Sequence, residues 1–193
     1  NTAIGVNALS DNVNGKGNIA VGYAAAISGD MGSGNIAIGY FAMADSTNND
    51  TIAIGSEAAR NNRRGGTIAI GVNALRDNVS GSLNVAIGAR AIEANITGNR
   101  NVGVGAYTLR NNTSGHNNTT IGFGGLFSNT TGYANTAIGW EASYSNTTGF
   151  RNSSLGYRGL YSNATGQYNI GIGYQAGFNV VLHNNTIIGS LNG

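Results

Sequence analysis

The side chains of this 193-residue chain best suited to chemistry are aromatic, and they recur at a fixed interval. Phe127, Tyr144, Tyr161 and Phe178 are evenly spaced along the sequence. Phe123, Trp140, Tyr157 and Tyr174 repeat in step with them, each four positions earlier. Tyr133, Phe150 and Tyr168 add rings in flanking turns. Of 15 aromatic residues only Tyr23, Tyr40 and Phe41 precede Gly105, so the columns belong to the second half of the chain. Flat rings set among Asn and Thr donors suit stacking on sugars. They equally suit stacking on one another, where a pair contributes about 0.5–1.5 kcal/mol beyond area burial. The eight column residues are therefore the candidate ligand-binding set, and rod stabilisation is the competing expectation.

Other chemistry finds little support. The eight acidic residues, Glu93, Glu141 and Asp30 among them, form no repeated column and no close pair for acid–base work. Glycan cleavage needs positioned carboxylates, and Glu141 alone is a poor candidate, so no enzyme is expected. His116 and His183 lie about four repeats apart and are expected in solvent-facing turns. With no cysteine there is no thiolate site, and no metal or cofactor is expected. Gly103-Val-Gly105 and Gly171-Ile-Gly173 mimic part of a dinucleotide fingerprint, but that motif needs a strand leading into a helix. The ten basic residues are dispersed, unlike the basic stripe of a nucleic-acid binder. No apolar run approaches the ~20 residues that span a membrane.

The interval itself comes from a repeat. The opening phrase Asn1-Thr2-Ala3-Ile4-Gly5 returns in altered form through twelve closing glycines, beginning Gly5, Gly22, Gly39, Gly55 and ending at Gly189. A period this strict marks a solenoid. Each glycine follows a bulky aliphatic, as in Ile4, Ile38, Ile121 and Leu155. Before that comes a small residue, as in Ala3, Ala37, Thr120 and Ser154, and before that a β-branched one such as Thr2, Ile36 and Thr119. The phrase predicts a strand of about four residues closing on glycine. There is no proline, which suits coils bonded to one another throughout. An apolar pair three and four positions after the glycine, such as Ala74-Leu75, predicts a second, shorter strand. A glycine ten after it, as in Asn129-Thr130-Thr131-Gly132, predicts an Asn/Thr turn.

Strand side chains alternate between faces. The β-branched and bulky columns share one face, and the small column shares the other with glycine. Neither face is charged, and a coil this short encloses only one. The second face must be covered, and an identical rod is the simplest cover. Close approach between rods is expected on the small-residue face. All 193 residues then form one all-β array. It is a parallel β-roll of about twelve coils and, at ~4.8 Å per coil, roughly 55 Å long.

The phrase Asn-Thr-Ala-Ile-Gly-x-x-Ala-Leu-x-x-Asn-x-x-Gly resembles the head repeats of trimeric autotransporter adhesins of the YadA type. It resembles the long repeats of bacteriophage tail fibres more closely still. Asn1–Leu9 and Asn135–Gly139 match best, and the likeness covers the chain. The adhesin head repeat is shorter, so the longer coil here leans toward the fibre. The resemblance implies a left-handed β-roll wound as a homotrimer. It implies a segment of a longer fibre on a virion, or of an adhesin on a bacterial surface, that binds a host glycan or protein receptor. A monomeric structural or ice-binding solenoid is the rival. It needs a flat threonine array, and the column eight after the glycine is too mixed for one.

Overall fold

The computed structural model describes residues 1–27 and 31–190, so Asp30 lies outside the described residues. Twelve three-residue strands follow one another: β1 (Thr2–Ile4), β2 (Ile19–Val21), β3 (Ile36–Ile38), β4 (Ile52–Ile54), β5 (Ile68–Ile70), β6 (Val85–Ile87), β7 (Val102–Val104), β8 (Thr119–Ile121), β9 (Thr136–Ile138), β10 (Ser153–Leu155), β11 (Ile170–Ile172) and β12 (Thr186–Ile188). They form one parallel sheet in chain order, a β-solenoid of about eleven turns. Every repeat column is a register column, so Ala137 of β9 lies between Thr120 of β8 and Ser154 of β10. Coils are numbered here by their repeat glycines, from coil 1 at Gly5 to coil 12 at Gly189.

The sheet has two faces of unequal size, and the inward one is not the face its bulk suggests. Ala20, Ala37, Ala53, Ala69, Ala86 and Ala137 of the small column are fully buried. They meet the second apolar pair, whose Leu75, Ile92, Leu109, Leu126 and Leu160 are also fully buried. The bulky column points outward, with Ile38 37%, Ile121 44% and Leu155 48% exposed. This reverses the expected sides: small residues line the interior, and the open face is the aliphatic one. The reason is width. So short a coil leaves room for one large side chain per level, and the pair after the glycine supplies it.

That pair is not a second strand. Residues two and four after the glycine adopt left-handed backbone, as in Phe41 (φ 52°) and Met43 (φ 54°), or Glu141 (φ 52°) and Ser143 (φ 51°). The conformation costs non-glycine residues about 1–2 kcal/mol each. It is offset by bonds to neighbouring coils, such as Met43 N–H to Ala58 O at 3.0 Å and Glu57 N–H to Tyr40 O at 2.8 Å. The repeat glycine (φ 126–138°) turns the chain out of the strand, and its Cα faces the next coil's glycine. A Cβ on Gly55 would lie 2.5 Å from the Gly71 carbonyl oxygen, so no other residue fits.

Two buried asparagine ladders complete the interior. In the first, Asn135 Oδ1 accepts from the Asn152 backbone N–H at 2.9 Å, and Asn135 Nδ2 donates to Gly149 O at 2.8 Å. In the second, Asn129 Nδ2 donates to Asn112 Oδ1 at 2.7 Å and to Gly132 O at 3.0 Å. Asn146 continues it onto Asn129 at 2.7 Å. These amides thus satisfy backbone and side-chain groups that burial would otherwise leave bare.

Candidate ligand-binding surface

The positions one, two and five after each glycine share one flank of the rod. The backbone sets their spacing, because stacked coils repeat every ~4.8 Å, close to the thickness at which rings stack. Phe127, Tyr144, Tyr161 and Phe178 form an unbroken ladder with centroids 4.9, 5.4 and 4.9 Å apart and planes within 8° of parallel. In the other column Phe123 stacks on Trp140 at 4.3 Å and Tyr157 on Tyr174 at 5.1 Å. His116, Tyr133 and Phe150 form a third stack, at 5.0 and 4.6 Å. His116 and His183 are exposed, as expected of turn residues.

This geometry constrains what the candidate residues offer. Inside a ladder both faces of a ring lie against neighbouring rings, and only edges and hydroxyls meet solvent. Tyr144 and Tyr161 are therefore poor platforms for a sugar face. A ring face that no other ring covers occurs where a ladder ends.

One end lies between coils 7 and 8. Below it the column five after the glycine is ionic: Glu93, nearly buried, bonds Arg76 at 3.2 Å and Arg110 at 2.9 Å. Above it the column is aromatic, beginning with Phe127. Arg110 bridges the two, with its guanidinium carbon 5.8 Å from the Tyr107 ring and 5.7 Å from the Phe127 ring. Tyr107 meets Phe123 edge-on (5.6 Å, 66°). A cleft of about 240 Å³ opens there among Tyr107, Arg110, Phe123, Phe127, Glu141 and Tyr144.

The middle column explains the cleft. Two positions after the glycine stand Tyr107, Gly124, Glu141 and Arg158 in coils 7 to 10. Arg158 fills the space between the aromatic columns, 5.2 Å from both the Tyr157 and Tyr161 rings, and bonds Glu141 Oε2 at 2.6 Å. In coil 8 there is no side chain to fill it. Burial, with Tyr161 and Glu141 nearby, pushes the Tyr144 phenol above its ordinary pKa, so it remains a neutral donor. Of the sequence-predicted set, the cleft gathers Phe123, Phe127 and Tyr144. Trp140, Tyr157, Tyr161, Tyr174 and Phe178 lie higher on the rod. Tyr107, Arg110, Gly124 and Glu141 were missed, although the break at Gly124 in an otherwise side-chain-bearing column is visible in the sequence.

Glu93 and Glu141 are each held by arginine, and they are not paired with one another. Among the described residues no three His, Cys, Asp or Glu side chains gather to hold a metal ion. The flank presents ring edges, hydroxyls and charges paired with one another. The chain matches no family model, no curated protein and no solved structure.

Proposed function

We propose that this chain is a structural and receptor-binding segment of a phage or phage-like tail fibre, assembled as a homotrimer of β-rolls that attaches to a host cell surface. The observation carrying this reading is the outward face of the twelve-stranded sheet. No strand contains a charged residue, and the outward aliphatic column is exposed, as at Ile38, Ile87, Ile121 and Leu155, or half-exposed, as at Ile54 and Val104. Monomeric proteins rarely leave contiguous apolar surface of this kind open. A second copy repeats at the same axial interval, so identical rods match one another coil for coil. Three such rods present each flank three times, which raises avidity without strong single contacts.

The head of a trimeric bacterial surface adhesin is the second reading, supported by the same face and the same repeat. An ice-binding solenoid draws less support. The hydroxyls of Thr113, Thr130 and Thr147 donate to carbonyls of the next coil at 3.0–3.1 Å, so they are not free for ice. The test is the native mass of the purified rod, with Ile121→Asp as the contrasting variant. We expect three chains for the wild type and dissociation for the variant, with its circular dichroism unchanged. A wild-type monomer would overturn the proposal.

A further inference from the structure

We propose that the cleft over Gly124 is a subsite for one neutral hexopyranose ring of a surface glycan. The inference rests on the receptor-binding reading above and locates its contact. Tyr107 and Glu141 occupy equivalent positions two coils apart, which at parallel-strand spacing is roughly 9–10 Å. Gly124 lies between them and contributes no side chain. The resulting volume, about 240 Å³, is below the ~300–1,000 Å³ of sites for drug-sized ligands. It suits a single ring.

The lining matches such a ring. The C–H face of a pyranose packs against aromatic carbon, and the cleft is walled by Tyr107, Phe123, Phe127 and Tyr144, with Tyr107 edge-on to Phe123 and Arg110 over the Phe127 ring. Hydroxyls need fixed donors and acceptors. Glu141 spends Oε2 on Arg158, which leaves Oε1 to accept. Arg110 spends Nε on Glu93, which leaves its terminal nitrogens to donate. Both charges are already neutralised by these partners, so the cleft selects a neutral sugar over an acidic one.

Gly124 is the specificity-determining position. Its φ of +64° is that of the whole column, in which Tyr107 (61°), Arg158 (52°) and Gln175 (54°) carry full side chains. A Cβ there would make ordinary contacts, 3.5 Å from Tyr144 Cε2 and 3.6 Å from Glu141 Cγ. Gly124→Gln therefore fills the cleft in a conformation the rod already uses.

Trp140, the single tryptophan, stacks on Phe123 and reports on the cleft by fluorescence. The experiment titrates the intact rod with methyl glycosides of glucose, galactose and mannose, and with N-acetylneuraminic acid. In parallel, attachment of wild type and Gly124→Gln to a panel of bacterial cells is measured. We expect saturable change in Trp140 emission with at least one neutral hexoside, weakened about tenfold or more in Gly124→Gln, with melting temperature and native mass retained. No response to any neutral hexoside, an equal response in the variant, or preference for the acidic sugar overturns the subsite. If the wild type still attaches to cells in those cases, the receptor-binding reading stands without it. Attachment to no cell removes both.

Discussion

Thr120 occupies the space that a side chain at Gly125 would need. A Cβ added at Gly125 would collide with Thr120 Oγ1, across the interior of coil 8. One coil earlier the sizes are exchanged, and a Cβ on Gly103 would lie 2.8 Å from Thr108 Oγ1. In coils 1 to 6 and in coil 9 both positions are alanine, as in Ala137 and Ala142. In coils 7 and 8 the interior thus limits the two positions jointly and not either residue alone. Gly125→Ala alone should destabilise the rod by about 1–3 kcal/mol through overpacking. Thr120→Ala/Gly125→Ala should recover that loss, and it also removes a buried hydroxyl without a partner. Denaturant melts of the wild type, Thr120→Ala, Gly125→Ala and the double variant check the coupling. Additive effects would refute it.

The second asparagine ladder predicts a sharp contrast between neighbours. Asn129→Ala removes bonds to Asn112 and Gly132 and the acceptor of Asn146. Leaving such groups buried and unmade costs about 1–3 kcal/mol each. Asn111→Ala, at an exposed position, should change stability by no more than about 0.5 kcal/mol. Equal effects in thermal melts would show that the ladder contributes nothing.

Tyr161 stands third in a four-ring ladder and stacks on both sides. Tyr161→Ala should cost about 1–3 kcal/mol by losing two ring contacts. Because its faces are covered, cell attachment at temperatures below the melt should be unchanged. Loss of attachment without loss of stability would make the ladder itself a recognition surface.

The Tyr144 phenol should ionise late. Burial, then the neighbouring Tyr161 and Glu141, favours its neutral form in the folded rod over the ordinary value near 10. The neutral form's contribution to stability is complete below that ordinary value. It is lost as pH rises through the raised one. Ultraviolet difference titration of wild type against Tyr144→Phe should show the missing ionisation above the ordinary tyrosine range. A difference at or below that range would contradict the burial.

The period made most of the fold legible. Each strand falls on the repeated phrase, as Ile36–Ile38 and Thr136–Ile138 do, because in a solenoid the sequence interval is the stacking interval. What failed was inside and outside. Alternation at Ile36, Ala37 and Ile38 divides the residues between two faces but does not say which is enclosed, and bulk misled. The segment around Met43 and Leu75 read as strand because left-handed backbone at large apolar residues opposes their local preference. The asparagines read as turn residues because their partners are the equivalent asparagines one coil away. The aromatic columns were legible for the reason the strands were. That Tyr144 and Tyr161 would cover one another, and that Gly124 would leave a gap, needed the stacking distance as well as the order.

The division between inward and outward columns has a consequence for how such a rod changes over time. The bonds between coils recur at the same positions from one coil to the next, and stability in such arrays sums over adjacent units. Whole coils can therefore be duplicated, lost or exchanged without disturbing the alanine, leucine and asparagine interior. The outward positions travel with them as interchangeable lettering. A feature spanning three coils, such as the gap between Tyr107 and Glu141, is inherited only when its neighbours stay in order. Recombination that preserves the rod can thus erase or create a contact surface in a single event.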